Sequence, residues 1–223
     1  MKTWADHLFE FYASLQPRQK LPNDVLWLYP QQSEEVMQVV QQFLLKYFND
    51  ARKRKLFFGI NPGRFGAGVT GVNFTAPKQL TEECGIEHPF KKQSELSAEF
   101  IYAMINSYGG PEKFYQRHFI GSVCPLGFVK GGKNINYYDD KELQAAVTPF
   151  IVESIEKQLS FPVDLSRCLC IGGDKNFTYL SGLNAQYKWF KEIIPLPHPR
   201  FIMQYRRKQI EPFIQMYLDA IRK

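Results

Sequence analysis

Two side chains in this sequence stand where chemistry can be done. One is Asn61, in Leu56-Phe57-Phe58-Gly59-Ile60-Asn61-Pro62-Gly63; the other is His198, in Leu196-Pro197-His198-Pro199-Arg200. The first stretch is an apolar run of strand character that stops abruptly in a Gly/Asn/Pro/Gly turn. Its glycines let another molecule approach the backbone, and Pro62 stiffens the turn. A neutral carboxamide on so rigid a turn can fix a water or a carbonyl. Asn-Pro and Pro-Gly are also ordinary turn formers, so the simpler reading is that Asn61 only makes the turn. The prolines around His198 hold its backbone extended. Taken alone, such a histidine reads as a turn residue capping a backbone carbonyl.

The combination points elsewhere. An asparagine that positions water and a histidine that hydrogen-bonds developing negative charge would assist departure of a nucleobase from a sugar. That chemistry needs an aromatic face for the base, and Phe74 lies on the glycine-rich segment after the Asn61 turn, in Thr70-Gly71-Val72-Asn73-Phe74. Other chemistries lack their signatures. The turn Gly59-Ile60-Asn61-Pro62-Gly63 that ends the strand is not the G-x-G-x-x-G of a dinucleotide site, and no Gly-Lys-Ser/Thr phosphate loop follows it. G-x-S-x-G and H-E-x-x-H are absent too. Gly131-Gly132-Lys133-Asn134 resembles a phosphate nest, but without the Ser/Thr that magnesium would need. Cys84, Cys124, Cys168 and Cys170 fit no common zinc or iron–sulfur spacing and read as buried thiols.

The elements that must position these residues follow from periodicity. Helical spacing marks residues 4–16 and 33–48, the second opened by Ser33-Glu34-Glu35. A basic run, Arg52-Lys53-Arg54-Lys55, leads into the strand before Asn61 and reads either as a phosphate contact or as a solvated approach. A long loop is expected from Asn61 through Phe90, then helices over 97–108 and 112–118. Strands are expected at 119–124, 167–171 and 192–196, and helices at about 139–160, 175–184 and 206–223. Strands alternating with helices argue for a three-layer α/β/α fold with a central, mainly parallel sheet, whose ligands sit at the carboxyl ends of strands.

The 223 residues read as one domain, 1–223, with the helices of about 4–48 packing on it. A composition of 44% hydrophobic and 22% charged residues is that of a globular protein, and the formal charge of +6 suits a polyanion such as nucleic acid, or simple solubility. No segment is apolar enough to span a membrane, and Met1-Lys2-Thr3-Trp4-Ala5-Asp6-His7 lacks a signal-peptide core. The expectation is an intracellular, cytoplasmic protein, nucleoid-associated if bacterial.

These motifs resemble the uracil-DNA glycosylase superfamily, most closely its single-strand-selective monofunctional uracil-DNA glycosylase family. Gly59-Ile60-Asn61-Pro62-Gly63 is similar to that family's Gly-Met-Asn-Pro-Gly, and the likeness continues through Phe65, Gly66, Thr70-Gly71-Val72 and Phe74. Gln93-Ser94-Glu95-Leu96-Ser97, Val123-Cys124-Pro125-Leu126 and Gly132-Lys133-Asn134 follow in order, and His198-Pro199-Arg200 stands where a second motif beginning His-Pro-Ser is expected. The resemblance covers roughly residues 55–210. It implies that Asn61 holds the attacking water, that His198 stabilises charge on the departing base, and that Phe74 stacks on it with Ile60 and Gly63 lining the pocket. It further implies a monofunctional enzyme that flips out uracil or a related deaminated base from single- or double-stranded DNA in base excision repair, as a monomer, with no metal and no organic cofactor.

Two departures bear on this. Where main members carry an asparagine that reads the pyrimidine edge, this chain has Ser122, whose hydroxyl offers one bond where an amide offers a donor and an acceptor. That relaxation raises a second expectation, a preference for deaminated purines such as xanthine or hypoxanthine. After His198 the family's Pro-Ser-Pro-Arg becomes Pro199-Arg200-Phe201-Ile202. The DNA-penetrating segment then relies on Arg200, Tyr205, Arg206, Arg207 and Lys208, unless these are a solvated helix start. Rival readings are a non-catalytic module binding DNA or abasic sites, and a hydrolase of free nucleosides.

Overall fold

The computed structural model describes residues 2–222. A four-stranded parallel sheet forms the centre, with strands β2 (Arg54–Gly59), β3 (His118–Ser122), β6 (Val163–Ile171) and β7 (Glu192–Leu196) in the order β3-β2-β6-β7. Successive strand residues point to opposite faces. Leu56, Phe57 and Phe58 are nonetheless all fully buried, as are Cys168, Leu169, Cys170 and Ile171. Both faces are therefore covered, which makes the architecture three-layered. The core runs without a break from Trp4 of α1 (Trp4–Ala13) to Ile221 of α10 (Ile210–Arg222). The four cysteines are free and buried, and burial pushes the Cys124 and Cys170 thiols up to about 12.

A second sheet was not expected. β1 (Val25–Leu28), β4 (Gly127–Lys130) and β5 (Lys133–Ile135) form an antiparallel ladder in the order β1-β4-β5. Gly131 and Gly132, at φ +54° and +70°, close the β4–β5 hairpin. Two consecutive left-handed residues are what a tight hairpin needs, so this Gly-Gly is a turn rather than a phosphate nest. The hairpin brings Asn134 and Tyr137 against the Asn61 turn.

Four further expectations are corrected. The segment from Asn61 to Phe90 is not all loop: it holds α3 (Ala67–Thr70) and α4 (Pro77–Glu82), the latter started by a proline at its first turn. His118 belongs to β3, paired with Lys55, and not to the helix before it. The basic run is neither a phosphate contact nor a solvated approach throughout. Arg54 is fully buried, paired with Asp50 at 2.7 Å and donating to the Tyr115 carbonyl, while Lys55 donates to the Ile221 carbonyl at 2.6 Å. Lastly, the chain becomes helical immediately after His198, in α9 (Pro199–Tyr205), and reaches α10 through a short 3₁₀ turn, Arg207–Gln209. The prolines behave differently on its two sides. His198 itself is extended, at φ −66° and ψ 131°, whereas Pro199 with its fixed φ opens the helix.

Candidate active site

The carboxyl ends of all four parallel strands converge on one cleft of about 490 Å³. Ile60 and Asn61 enter it from β2, Ser122 from β3, Gly172 from β6 and His198 from β7. This is where an α/β sheet presents ligands. Among the described residues no group of His, Cys, Asp or Glu could hold a metal ion, and no helix is long and apolar enough to cross a membrane.

Asn61 is half-buried and oriented without ambiguity. Its Oδ1 accepts the Tyr137 backbone N–H at 3.2 Å, and its Nδ2 donates to the Pro62 and Ile135 carbonyls at 3.3 and 3.4 Å. A backbone N–H can only donate and a carbonyl can only accept, so the amide cannot be flipped. Oδ1 keeps one lone pair for a water. Asn134 buttresses the same turn, its Oδ1 accepting the Arg64 N–H at 3.1 Å. Gly63 lines the cleft beside it, and a Cβ there would stand 3.2 Å from the Asn134 Nδ2.

His198 caps α9: its Nδ1 accepts the Arg200 backbone N–H at 3.1 Å. A nitrogen that accepts carries no proton, so the neutral ring's hydrogen sits on Nε2. Burial, helped by the Arg200 charge, holds the ring's pKa down at about 4. The imidazole is thus neutral near pH 7 and offers one donor, Nε2–H.

Phe74 faces the same cleft, with its ring centroid 6.4 Å from that of His198. Its backbone is left-handed at φ +52°, a strained conformation for a bulky residue. The surrounding turn enforces it: the Thr70 hydroxyl donates to the Thr75 carbonyl at 2.6 Å, and the Thr75 hydroxyl to the Asn73 carbonyl at 3.2 Å. The ring settles over Gly59, where a Cβ would come within 2.7 Å of Phe74 Cε2. Gly59 is what lets an aromatic plate lie against the end of the strand. Ile60 lines the floor, packed on Gly172, whose φ of +125° and missing Cβ leave it room.

Ser122 lines the cleft but is only 3% exposed, and its hydroxyl donates to Asn73 Oδ1 at 2.9 Å. Asn73 is half-buried in the cleft wall. Sequence reasoning passed over it because the matching residues stand on either side of it. Glu95, the acidic side chain among the lining residues, caps α5 (Leu96–Tyr108) by accepting the Ala98 N–H at 3.0 Å.

The basic segment divides. Arg200 and Tyr205 line the rim, whereas Arg206, Arg207 and Lys208 are exposed outside the lining. Arg207 is paired with Glu99 of α5 at 3.1 Å, so it ties the segment down. Sequence reasoning named Tyr205 but gave no role to the exposed ring beside it, Phe201, or to Phe65. Phe201 and Tyr205, 46% and 61% exposed, lie 5.5 Å apart on the rim. Phe65, 50% exposed, lines the cleft too, with the Arg64 guanidinium 4.9 Å above its ring. Exposed aromatics next to cations were the available signal.

Residues 45–222 match the family model of the Uracil DNA glycosylase superfamily. Over 101 residues the chain is 35% identical to the single-strand selective monofunctional uracil DNA glycosylase of Bos taurus, covering 37% of each chain. Over 105 residues it is 31% identical to the single-strand selective monofunctional uracil-DNA glycosylase of Rattus norvegicus, covering 39% of this chain and 38% of that one. The chain thus spans less than two fifths of the length of these curated relatives. The crystal structure of wild-type SMUG2 from Pedobacter heparinus superposes on it with a TM-score of 0.96 at 44% identity, over 100% of this chain and 98% of that one.

Proposed function

The chain belongs to the uracil DNA glycosylase superfamily, and we propose that within it this protein is a monofunctional DNA glycosylase acting in base excision repair. It flips a deaminated base, uracil or a related lesion, out of DNA and hydrolyses the bond joining that base to the sugar. Asn61 Oδ1 holds the attacking water. His198 Nε2–H donates to the base oxygen as negative charge builds there, and Phe74 stacks on the base. Bond cleavage leaves an abasic site; the strand stays intact. The protein acts as a cytoplasmic monomer, without metal or organic cofactor.

The observation that carries this reading is the meeting of Asn61, a neutral Nε2-protonated His198 and the Phe74 plate at the strand ends of one cleft. The names of the two mammalian relatives support it. So does the cleft lining, which among the described residues includes no lysine to form a Schiff base. A pure binding module would have no use for the water-holding and charge-stabilising pair. A nucleoside hydrolase would have no use for the aromatic and basic rim. The test is a set of oligonucleotides bearing uracil, xanthine or hypoxanthine, scored for strand breaks before and after alkali. Breaks only after alkali are expected; no base release from any of the three ends the proposal.

The rim makes a separate prediction. Removing one of the free cations, Arg200 or Lys208, should weaken binding to every sequence and reduce the slope of log affinity against log salt by about one. Arg207→Ala should change that slope less, because its charge is already paired with Glu99. Phe201→Ala and Tyr205→Ala should each weaken single-stranded DNA by about 1–3 kcal/mol, the worth of a stacked base. Fluorescence anisotropy at several salt concentrations measures all of these. Parental affinity and slope in Arg200→Ala, Phe201→Ala and Tyr205→Ala alike would make the segment an ordinary helix.

A further inference from the structure

We propose that the edge of the flipped base is read by Asn73, and that Ser122 acts through it as a positioning residue; this rests on the glycosylase reading above. Ser122 has the place in the sequence for reading a base but not the surface. It is 3% exposed, and its one hydroxyl hydrogen is spent on Asn73 Oδ1 at 2.9 Å. Asn73 is half-buried in the cleft wall and directly precedes Phe74, the plate on which the base would lie.

The amide is held in one orientation. Its Nδ2 donates to the Ile120 carbonyl at 3.1 Å. A carbonyl cannot donate, so turning the amide over would set two acceptors against each other. Ser122 completes the clamp by donating to the other end. After these two bonds the amide still has one N–H and one lone pair on Oδ1. That donor–acceptor pair complements a ring carbonyl adjacent to a ring N–H. Uracil presents this lactam at O4 and N3–H, and hypoxanthine and xanthine at O6 and N1–H. Cytosine and adenine present an amino group beside an unprotonated nitrogen, the reverse pattern. Guanine carries the same lactam and is not discriminated by this contact. The amide that the family's main members carry at the end of β3 is, in this chain, supplied from the loop, with a serine left behind to aim it. A lactam reader on a loop also has no requirement for a pyrimidine ring, which suits deaminated purines as well as uracil.

The test compares single-turnover excision of uracil with that of 2-pyrimidinone, which keeps the oxygen next to the glycosidic nitrogen but lacks the lactam edge. Leaving-group differences between the two bases cancel when each variant's ratio is compared with the parent's. The parent should favour uracil, and Asn73→Ala should shrink that preference about 10- to 100-fold, the cost of two lost hydrogen bonds in a closed site. Ser122→Ala should shrink it partly, and Ser122→Thr, which keeps the hydroxyl, should restore it. An unchanged ratio in Asn73→Ala overturns the proposal. If Asn73→Ala does not fold, Ser122→Ala against Ser122→Thr carries the test, and equal ratios in those two overturn it. A parent that releases no deaminated base at all would instead overturn the glycosylase reading on which this rests.

Discussion

Asn61→Ala should excise uracil about 10²–10³-fold more slowly than the parent in single turnover, the usual cost of losing one positioned polar group in a catalytic site, and should bind the same DNA equally well. The asymmetry follows from what the carboxamide touches. It is engaged by the Tyr137 N–H and by the Pro62 and Ile135 carbonyls, all from within the protein. It therefore contributes little to holding DNA, and what it contributes to the reaction is a fixed lone pair. Asn61→Asp sharpens the test. It keeps the shape but turns the two donated bonds into acceptor–acceptor contacts against Pro62 and Ile135, so the carboxylate must rotate or draw a proton. Its rate should fall well below the parent's although a better proton acceptor has been introduced. Single-turnover rates equal to the parent in Asn61→Ala would leave Asn61 as nothing more than a turn residue.

That this residue could be found in the sequence at all reflects how local its setting is. A strand that stops in Gly59-Ile60-Asn61-Pro62-Gly63 needs nothing from elsewhere to be read, and the same holds for His198 between its prolines. Phe74 followed from proximity along the chain. What stayed hidden depends on partners far away in sequence. The contact that engages Ser122 comes from Asn73, 49 residues earlier, and no spacing rule connects them. Val25-Leu26-Trp27-Leu28 is too short and too evenly apolar to show the alternation of a half-buried strand, so the second sheet was invisible until Gly131 and Gly132 were seen to close a hairpin. Arg54 looked like its basic neighbours because burial is a tertiary property. Asp50 and the Tyr47, Arg52 and Tyr115 carbonyls make a buried guanidinium tolerable there. The helix after His198 was missed for a different reason. Proline restricts the residue before it towards extended backbone and suits the first turn of a helix that follows, and the sequence reading used only the first of these effects.

His198→Ala should lower the chemical rate by about 10²–10³, with DNA affinity changing far less, because a donor to the departing base acts on charge that exists only in the transition state. The geometry fixes which protonation state does this. Nδ1 is occupied by the Arg200 N–H, and burial holds the ring's pKa at about 4, so the working form is the neutral Nε2–H imidazole. A neutral donor places no second charge in a desolvated cleft and is already in its working protonation state near pH 7. The excision rate should therefore show no inflection from His198 near the usual imidazole value of about 6.5. NMR titration of the free enzyme should place its midpoint near 4. The same shift has a sign in stability. Between about 4 and the ordinary value the unfolded chain binds a proton that the folded one refuses, so stability falls as pH drops through that window. His198→Ala should flatten this group's share of the slope. His198→Gln retains an N–H donor and should recover part of the lost rate, whereas His198→Leu should recover none. A His198 that titrates near 6.5, or a His198→Ala enzyme with a normal single-turnover rate but weakened DNA binding, would make the imidazole a cap on α9 that happens to face the cleft.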